Sequence, residues 1–132
     1  MDRAPRPRIL CVDDEPELLA ALTLNLRRKF EVVTAPSAAL GLELIKDKPF
    51  AAVMSDLRMP HMDGGAFLAV CRDLAPHTVR LLLTGYADSD LIAAIDEREI
   101  FKILIKPCQP DVIIAALSAA CVRHQGLLEG SP

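Results

Sequence analysis

The stretch Ala51-Ala52-Val53-Met54-Ser55-Asp56-Leu57-Arg58-Met59-Pro60 decides the fold. Its apolar first half lacks the polar alternation of a half-exposed strand, so it predicts a β-strand that is buried on both faces. Pro60 and the turn signal Asp63-Gly64-Gly65 end this strand and leave Asp56 at an exposed rim. A carboxylate there is costly unless a cation, hydrogen-bond donors or water compensate its charge. Other residues are therefore expected to converge on Asp56.

Length and composition exclude several classes of protein. The chain has 132 residues, of which 52% are hydrophobic and 25% charged, which is typical of one compact domain with its own core. A net charge of -3 argues against nucleic acid as a partner. No apolar segment is expected to reach the length that spans a bilayer, and no signal-peptide core follows the start. We therefore expect a cytoplasmic protein with no membrane partner.

The four cysteines do not form a metal-binding or disulfide pattern. They are far apart, without a CxxC pair or a histidine at ligand spacing. Small buried hydrophobic residues are the expected role of Cys11, Cys71 and Cys121, whereas Cys108 lies beside residues of the candidate site.

Apolar strand segments alternate with helical patterns along the chain. The predicted strands are 9–12, 30–35, the run before Asp56, 79–83 and 101–105. Helices are expected after Pro16, Ser37 and Gly65, after a cap at Asp88 or Ser89, and after Pro110, the last one ending at about Arg123. Short connections between five strands and five helices predict an α/β fold, with a doubly wound parallel sheet covered on both faces.

Polar side chains follow four of the five predicted strands. The first strand ends in Asp13-Asp14, the third in Asp56, the fourth in Thr84 and the fifth in Lys106. Sites in such sheets form outside the carboxyl ends of the strands, so we expect these residues to lie together. The second strand contributes no such residue and is expected at the outside of the sheet.

Crowded carboxylates define the chemistry expected at this edge. Asp13, Asp14 and Asp56 cannot all stay ionised side by side without a compensating cation. Mg²⁺ would compensate them, because it prefers carboxylate, carbonyl and water oxygens and needs few protein ligands. In formal terms these carboxylates balance one Mg²⁺ and the Lys106 ammonium. We therefore predict a Mg²⁺ site.

Asp56 is the candidate nucleophile. A phosphoryl group on its carboxylate would form an aspartyl phosphate, whose oxygens could pair with Lys106, the Thr84 hydroxyl and the metal. No side chain stands out as a base for rapid hydrolysis, and the three histidines do not follow strand ends: His61, His77 and His124. The pattern favours a persistent phosphoryl modification over turnover.

These motifs together resemble the receiver domain of two-component response regulators. The matching positions are Asp13-Asp14, Asp56 with Met59-Pro60 and Asp63-Gly64, Thr84, and Lys106-Pro107. The likeness covers Arg8 to Arg123, so we place a receiver domain at 8–124 with tails at 1–7 and 125–132. The resemblance implies a flavodoxin-like (βα)5 fold with strand order 2-1-3-4-5.

The resemblance also implies a role for each site residue. Asp56 would accept a phosphoryl group from a partner histidine kinase or phosphotransfer protein, and Lys106 would pair with it. The implied Mg²⁺ ligands are Asp13, Asp14, Asp56 and the backbone carbonyl of Arg58. The Lys106-Pro107 peptide would be cis. Such a domain is not an enzyme beyond catalysing its own phosphorylation and dephosphorylation.

Some positions indicate a subclass or depart from the family pattern. Leu83 to Pro107 is most similar to receivers joined to HD-GYP-type phosphodiesterases or to histidine kinases. The departures are Ile103 where the family has its switch aromatic, Arg98 where related sequences have Gly, and Cys108 where the subclass has Trp. Arg58 and Tyr86 flank the site, and we expect them to screen the phosphoryl group from water.

Three other functions remain as alternatives. A degenerate receiver could act as a protein-interaction module, but the complete set of Asp, Thr and Lys argues against it. A Mg²⁺-dependent phosphatase would want a second acid two residues after the nucleophile, where this chain has Arg58. A flavodoxin-like cofactor binder needs a Gly/Ser/Thr-rich phosphate loop, and the acidic run 13–15 would repel a phosphate instead.

The last helix is apolar on almost all sides. One stripe must pack on the sheet, and the rest is available to a partner. We expect a homodimer through this helix and the neighbouring surface, as the resemblance also implies. Whether the receiver stands alone or belongs to a longer chain is left open.

Overall fold

The computed structural model describes residues 5–85 and 89–130, in which strands and helices alternate. The elements in chain order are β1 Arg8–Val12, α1 Pro16–Leu26, β2 Glu31–Ala35, α2 Ala38–Asp47, β3 Ala52–Ser55, α3 Gly64–Leu74, β4 Val79–Gly85, α4 Ser89–Ala93, a 3-10 turn Glu97–Glu99, β5 Lys102–Lys106 and α5 Pro110–Glu129. All strand pairs are parallel, in the order β2-β1-β3-β4-β5. This confirms the predicted doubly wound, flavodoxin-like α/β fold.

The sheet has a hydrophobic core on each face, because the inner strands alternate their side chains between two buried surfaces. In β1, Ile9 and Cys11 belong to the core under α1 and α5, whereas Leu10 and Val12 belong to the core under α2 and α3. Every residue of β3 is buried. The prediction of a strand buried on both faces is confirmed.

The fourth helix is shorter than the apolar pattern of Leu91, Ile92 and Ile95 predicts. It spans Ser89–Ala93, so Ile95 lies beyond its end. None of its residues is buried. The Asp96 carboxylate accepts hydrogen bonds from both the backbone and the side chain of Arg98. This local turn competes with continuation of the helix. Asp88, one of the two suggested caps, lies outside the described residues.

The last helix is longer than predicted and ends at Glu129 instead of near Arg123. Leu127 packs against the core under α1 and α5, and the His124 Nδ1 lies 2.6 Å from the carbonyl oxygen of His77. These tertiary contacts outweigh the weak helix propensity of Gly126.

Helix α5 also corrects the expectation about membrane-length segments. It is 20 residues long with a mean hydropathy of 1.3, so by length and composition one helix of the described chain could span a bilayer. The prediction that no apolar segment reaches this length is therefore wrong. Its inward stripe, Ile113, Ala116, Leu117 and Ala120, is buried on the sheet. A core helix of a soluble fold passes the same test, so this is weak evidence for a membrane span.

Candidate functional site

Two buried carboxylates extend the sheet at its carboxyl edge. The Asp13 amide donates to the carbonyl of Ala35 at 3.2 Å, and the Asp56 amide donates to the carbonyl of Val12 at 3.0 Å. These bonds continue the parallel ladders of β1 with β2 and β3 by one residue. Asp13 is 3% exposed and Asp56 is 8% exposed. The sheet itself therefore fixes where both carboxylates start.

Lys106 joins the two carboxylates from the end of β5. Its Nζ lies 2.9 Å from Asp13 Oδ2 and 3.4 Å from Asp56 Oδ2. A third contact, at 3.3 Å, is to Glu15 Oε1. The Lys106-Pro107 peptide is cis, as the family resemblance implied. The structure thus brings together the ends of β1, β3 and β5.

Glu15 is a member of this cluster that the sequence analysis missed. Carboxylate oxygens of Asp13, Glu15 and Asp56 all lie within 4.8 Å of one another. The Asp13 Oδ1 accepts a hydrogen bond of 2.9 Å from the Glu15 amide, so the chain turns at this point. Aspartate side chains often accept a hydrogen bond from the amide two residues later, in a so-called Asx turn. The acid two residues after Asp13 could therefore have been recognised in the sequence as a candidate member of the cluster.

Asp14 is not a member of this carboxylate cluster. It is exposed and lines a cavity of about 680 Å³ between the β3–α3 connection and α4. Arg58 and Asp63 line the same cavity together with apolar side chains, among them Leu57 and Ile95. Among the described residues, the acidic cluster at Lys106 therefore contains Glu15, whereas Asp14 faces the neighbouring cavity.

Thr84 and Tyr86 complete the set of predicted residues. Thr84 is fully buried near the carboxyl end of β4, in register with Ile105 of the next strand. Tyr86 lies outside the described residues.

The connection after β3 packs closely on Asp56. The Leu57 amide donates to Asp56 Oδ1 at 2.8 Å, and the Ser55 hydroxyl donates to the Asp56 carbonyl at 2.8 Å. A Cβ on Gly64 would lie 2.0 Å from that carbonyl oxygen, so only glycine permits this approach. Asp63 caps α3 by accepting a hydrogen bond from the Ala66 amide. The Asp63-Gly64 motif thus holds the loop against the backbone of Asp56.

Burial and charge have opposite effects on the groups of the cluster. Burial raises the pKa of Asp13, and the hydrogen bond from Lys106 opposes the rise only in part. For Lys106, burial lowers the pKa, but the hydrogen bond and charge of Asp13 and the charge of Asp56 outweigh it and raise the pKa above 10.5. The ammonium therefore stays protonated at neutral pH.

The donor set suits a hard divalent cation. Asp13 and Asp56 supply carboxylate oxygens to this site, and with Glu15 beside them one ammonium leaves the cluster with excess negative charge. Mg²⁺ prefers such oxygen ligands, and its charge would compensate the excess. The residues present therefore fit a Mg²⁺ ion.

The chain is similar to known proteins over most of its length. The family model described as response regulator receiver domain matches residues 9–118. The hydrogenase transcriptional regulatory protein HoxA of Bradyrhizobium diazoefficiens is 38% identical over 113 residues, covering 85% of this chain and 23% of the relative. The chain thus spans about a quarter of the length of this curated relative.

Two solved structures are similar over nearly the whole chain. The signal receiver domain of an HD domain-containing protein from Pseudomonas fluorescens Pf-5 has a TM-score of 0.88 and 34% identity, covering 98% of this chain and 96% of that one. A protein named adenylate cyclase from Rhodopirellula baltica has a TM-score of 0.86 and 38% identity, covering 95% and 93%.

Proposed function

This chain belongs to the response regulator receiver domain family, and from that premise we propose that it is a phosphoacceptor switch whose Asp56 is phosphorylated by a histidine kinase or a phosphotransfer protein. The observation that carries the proposal is the position of Lys106 Nζ, 2.9 Å from Asp13 and 3.4 Å from Asp56. A buried carboxylate beside a fixed ammonium is what an aspartyl phosphate would need to form and persist.

The reaction follows from these positions. An Asp56 carboxylate oxygen attacks the phosphorus of a phosphohistidine, an O–P bond forms, the P–N bond breaks, and the imidazole leaves with the electron pair. Lys106 then pairs with the phosphoryl oxygens, and the Thr84 hydroxyl is proposed as a further donor. The transferred group adds negative charge to a site that already has an excess, so a cation is needed.

Mg²⁺ is the proposed cation. When bound, it would neutralise carboxylate and phosphoryl charge. The proposed ligands are Asp13, Asp14, Asp56 and the backbone carbonyl of Arg58. Two of them, Asp13 and Asp56, support the assignment because their carboxylates already lie in one cluster. Asp14 lines the adjoining cavity together with Arg58, the other proposed ligand.

Family members are generally non-enzymatic signalling modules, and we propose that this chain likewise catalyses only its own phosphorylation and dephosphorylation. A phosphatase is disfavoured because Arg58, two residues after the nucleophile, cannot protonate a leaving group. The family is generally soluble and cytoplasmic, and we propose the same location for this chain. Its net charge of -3 does not favour nucleic acid as a partner.

A homodimer is the proposed assembly. Helix α5 exposes Val112 and Val122, whose exposed fractions are 47% and 74%, and Phe101 beside it is 40% exposed. Phe101 and Val112 line one cavity together with Lys102 and Leu104 of β5. Light scattering with and without beryllofluoride should detect a dimer, and a monomer under both conditions would remove this proposal.

The proposed function is tested by phosphorylation of the purified chain. Wild type and Asp56→Asn are incubated with Mg²⁺ and acetyl phosphate, and intact mass is measured with and without EDTA. We expect one phosphoryl group on the wild type, none on Asp56→Asn, and none after chelation. A folded wild type that takes up no phosphate would favour the degenerate receiver, which acts only as an interaction module.

A further inference from the structure

One carboxylate in contact with Lys106 has no role in the proposed reaction. Asp13 and Asp56 are proposed to bind the metal and to carry the phosphoryl group, but Glu15 is in neither set. We propose that Glu15 is a positioning residue for Lys106, which holds the ammonium on the α1 side of the pocket until the phosphoryl group on Asp56 draws it away. This inference rests on the proposed function.

The distances place the resting ammonium toward β1 and α1. Lys106 Nζ lies 2.9 Å from Asp13 and 3.3 Å from Glu15, both on the connection after β1, and 3.4 Å from Asp56 on β3. The ammonium therefore has two partners on one side of the pocket and one on the side of the nucleophile. Phosphorylation requires it to favour the second side.

The three partners of Lys106 differ in exposure. The side chain of Glu15 is 64% exposed, whereas those of Asp13 and Asp56 are 4% and 9% exposed. Once Asp13 and Asp56 coordinate a metal, their charge is shared with that ion and holds Lys106 less strongly. Of the three clustered carboxylates, Glu15 then remains as the resting partner of the ammonium.

The backbone of Glu15 is anchored, so the loss of its contact with Lys106 changes only the positions of side chains. Its amide donates to Asp13 Oδ1 at 2.9 Å, and its carbonyl accepts from the Leu19 amide at 3.2 Å. Pro16 follows as the first residue of α1 and restrains the backbone further. Release of Lys106 from Glu15 therefore breaks one solvent-exposed ion pair without unfolding a turn.

The strength of such a pair sets the size of the effect. An exposed ion pair contributes little free energy, so it costs little to pull Lys106 away from Glu15. Neutralising Glu15 removes this cost and should raise the rate of Asp56 phosphorylation by about two- to fivefold. A general loss of negative charge near an anionic phosphodonor would also raise this rate. The test must therefore separate the contact with Lys106 from the charge itself.

The experiment compares Glu15→Gln with Glu17→Gln. Glu17 is an exposed acid in the first turn of α1, and Lys106 forms its ion pairs among the described residues with Asp13, Glu15 and Asp56. Phosphorylation by acetyl phosphate at saturating Mg²⁺ is followed on phosphate-affinity gels, because the chain has no tryptophan for a fluorescence readout. We expect Glu15→Gln to react faster than both the wild type and Glu17→Gln.

A second pair of variants tests whether the effect acts through Lys106. In a Lys106→Gln background, adding Glu15→Gln should leave the residual rate unchanged, as expected when two residues act through one contact. The Mg²⁺ affinity of Glu15→Gln, from calorimetry, should stay within about twofold of that of Glu17→Gln, because a positioning residue is not a ligand.

The outcomes separate this inference from the proposed function. Equal rates for Glu15→Gln and Glu17→Gln, a persistent effect in the Lys106→Gln background, or a tenfold loss of Mg²⁺ affinity would each overturn the role of Glu15. If the wild type takes up no phosphate, or Asp56→Asn takes up as much, the proposed function itself is wrong.

Discussion

The ammonium of Lys106 donates to the carboxylate of Asp13 at 2.9 Å although β3 and β4 lie between their strands. Three strand spacings separate the two backbones by about 14 Å. The two side chains must therefore lean toward each other across the carboxyl edge of the sheet, above the end of β3. Asp56, which follows β3, lies beside this contact, with its Oδ2 3.4 Å from Lys106 Nζ.

The burial of Asp13 has a measurable consequence for stability. Because its pKa is raised, the native state binds its proton more tightly than the unfolded state, so its contribution to stability falls as pH rises through the folded pKa. In EDTA at pH 7, Asp13→Asn should therefore be more stable than the wild type by about 1 kcal/mol.

Urea denaturation across pH measures this difference. The extra stability of Asp13→Asn should shrink as the pH falls toward 3.8, the ordinary pKa of an aspartate, because the wild-type carboxyl then also becomes neutral. Asp14→Asn, an exposed neighbour, serves as the control and should shift stability by less than about 0.5 kcal/mol. A less stable Asp13→Asn at pH 7 would show that its bond to Lys106 outweighs desolvation.

His61 has an unfavourable backbone conformation in the connection between β3 and α3. Its φ of 72° is in the left-handed region, which a side chain with a Cβ adopts at a cost. His61→Gly should stabilise the protein by about 1 kcal/mol, measured by thermal or urea unfolding. His61→Ala keeps the Cβ and loses only the imidazole, so it should show no such gain. Equal stabilities for the two variants would contradict the argument.

The lifetime of the phosphoryl group should depend on Arg58 and Tyr86, which we expect to screen it from water. We predict that Arg58→Ala and Tyr86→Ala each shorten it, because water then reaches the aspartyl phosphate more easily. Loss of label after removal of the phosphodonor measures the rate. Arg28→Ala, which removes an exposed arginine beyond the end of α1, should leave the lifetime unchanged. Wild-type lifetimes in the two flanking variants would reject the prediction.

Cysteine reactivity should distinguish the thiols buried in the two cores of the sheet from those that are partly exposed. Burial raises the pKa of Cys11 and Cys71 to about 12, whereas Cys108 and Cys121 are partly exposed. Since the thiolate is the reactive form, an aromatic disulfide reagent at pH 8 should label Cys108 and Cys121 in the native protein. Cys11 and Cys71 should react only after unfolding. Rapid labelling of all four under native conditions would be incompatible with the described packing.

Local patterns were sufficient for the strands and for the grouping of three site residues. A strand buried on both faces has a continuous apolar run, and Pro, Gly and acidic residues mark where it ends. The parallel arrangement then brings strand ends to one edge, which is why Asp13, Asp56 and Lys106 could be grouped before any coordinates. The helix ends were less predictable, since Asp96 ends α4 early and Leu127 extends α5 through a distant contact.

The sequence by itself determined the parallel sheet, the position of Asp56 and its grouping with Asp13 and Lys106, because burial and turn chemistry act over a few neighbouring residues. Only the tertiary structure decided which acids after β1 contact Lys106. Asp13, Asp14 and Glu15 are consecutive, and a single hydrogen bond from the Glu15 amide to Asp13 accompanies the turn that leaves Asp14 outside the cluster. Which of these acids contacts Lys106 depends on where the end of β5 lies relative to the end of β1, which no local pattern records.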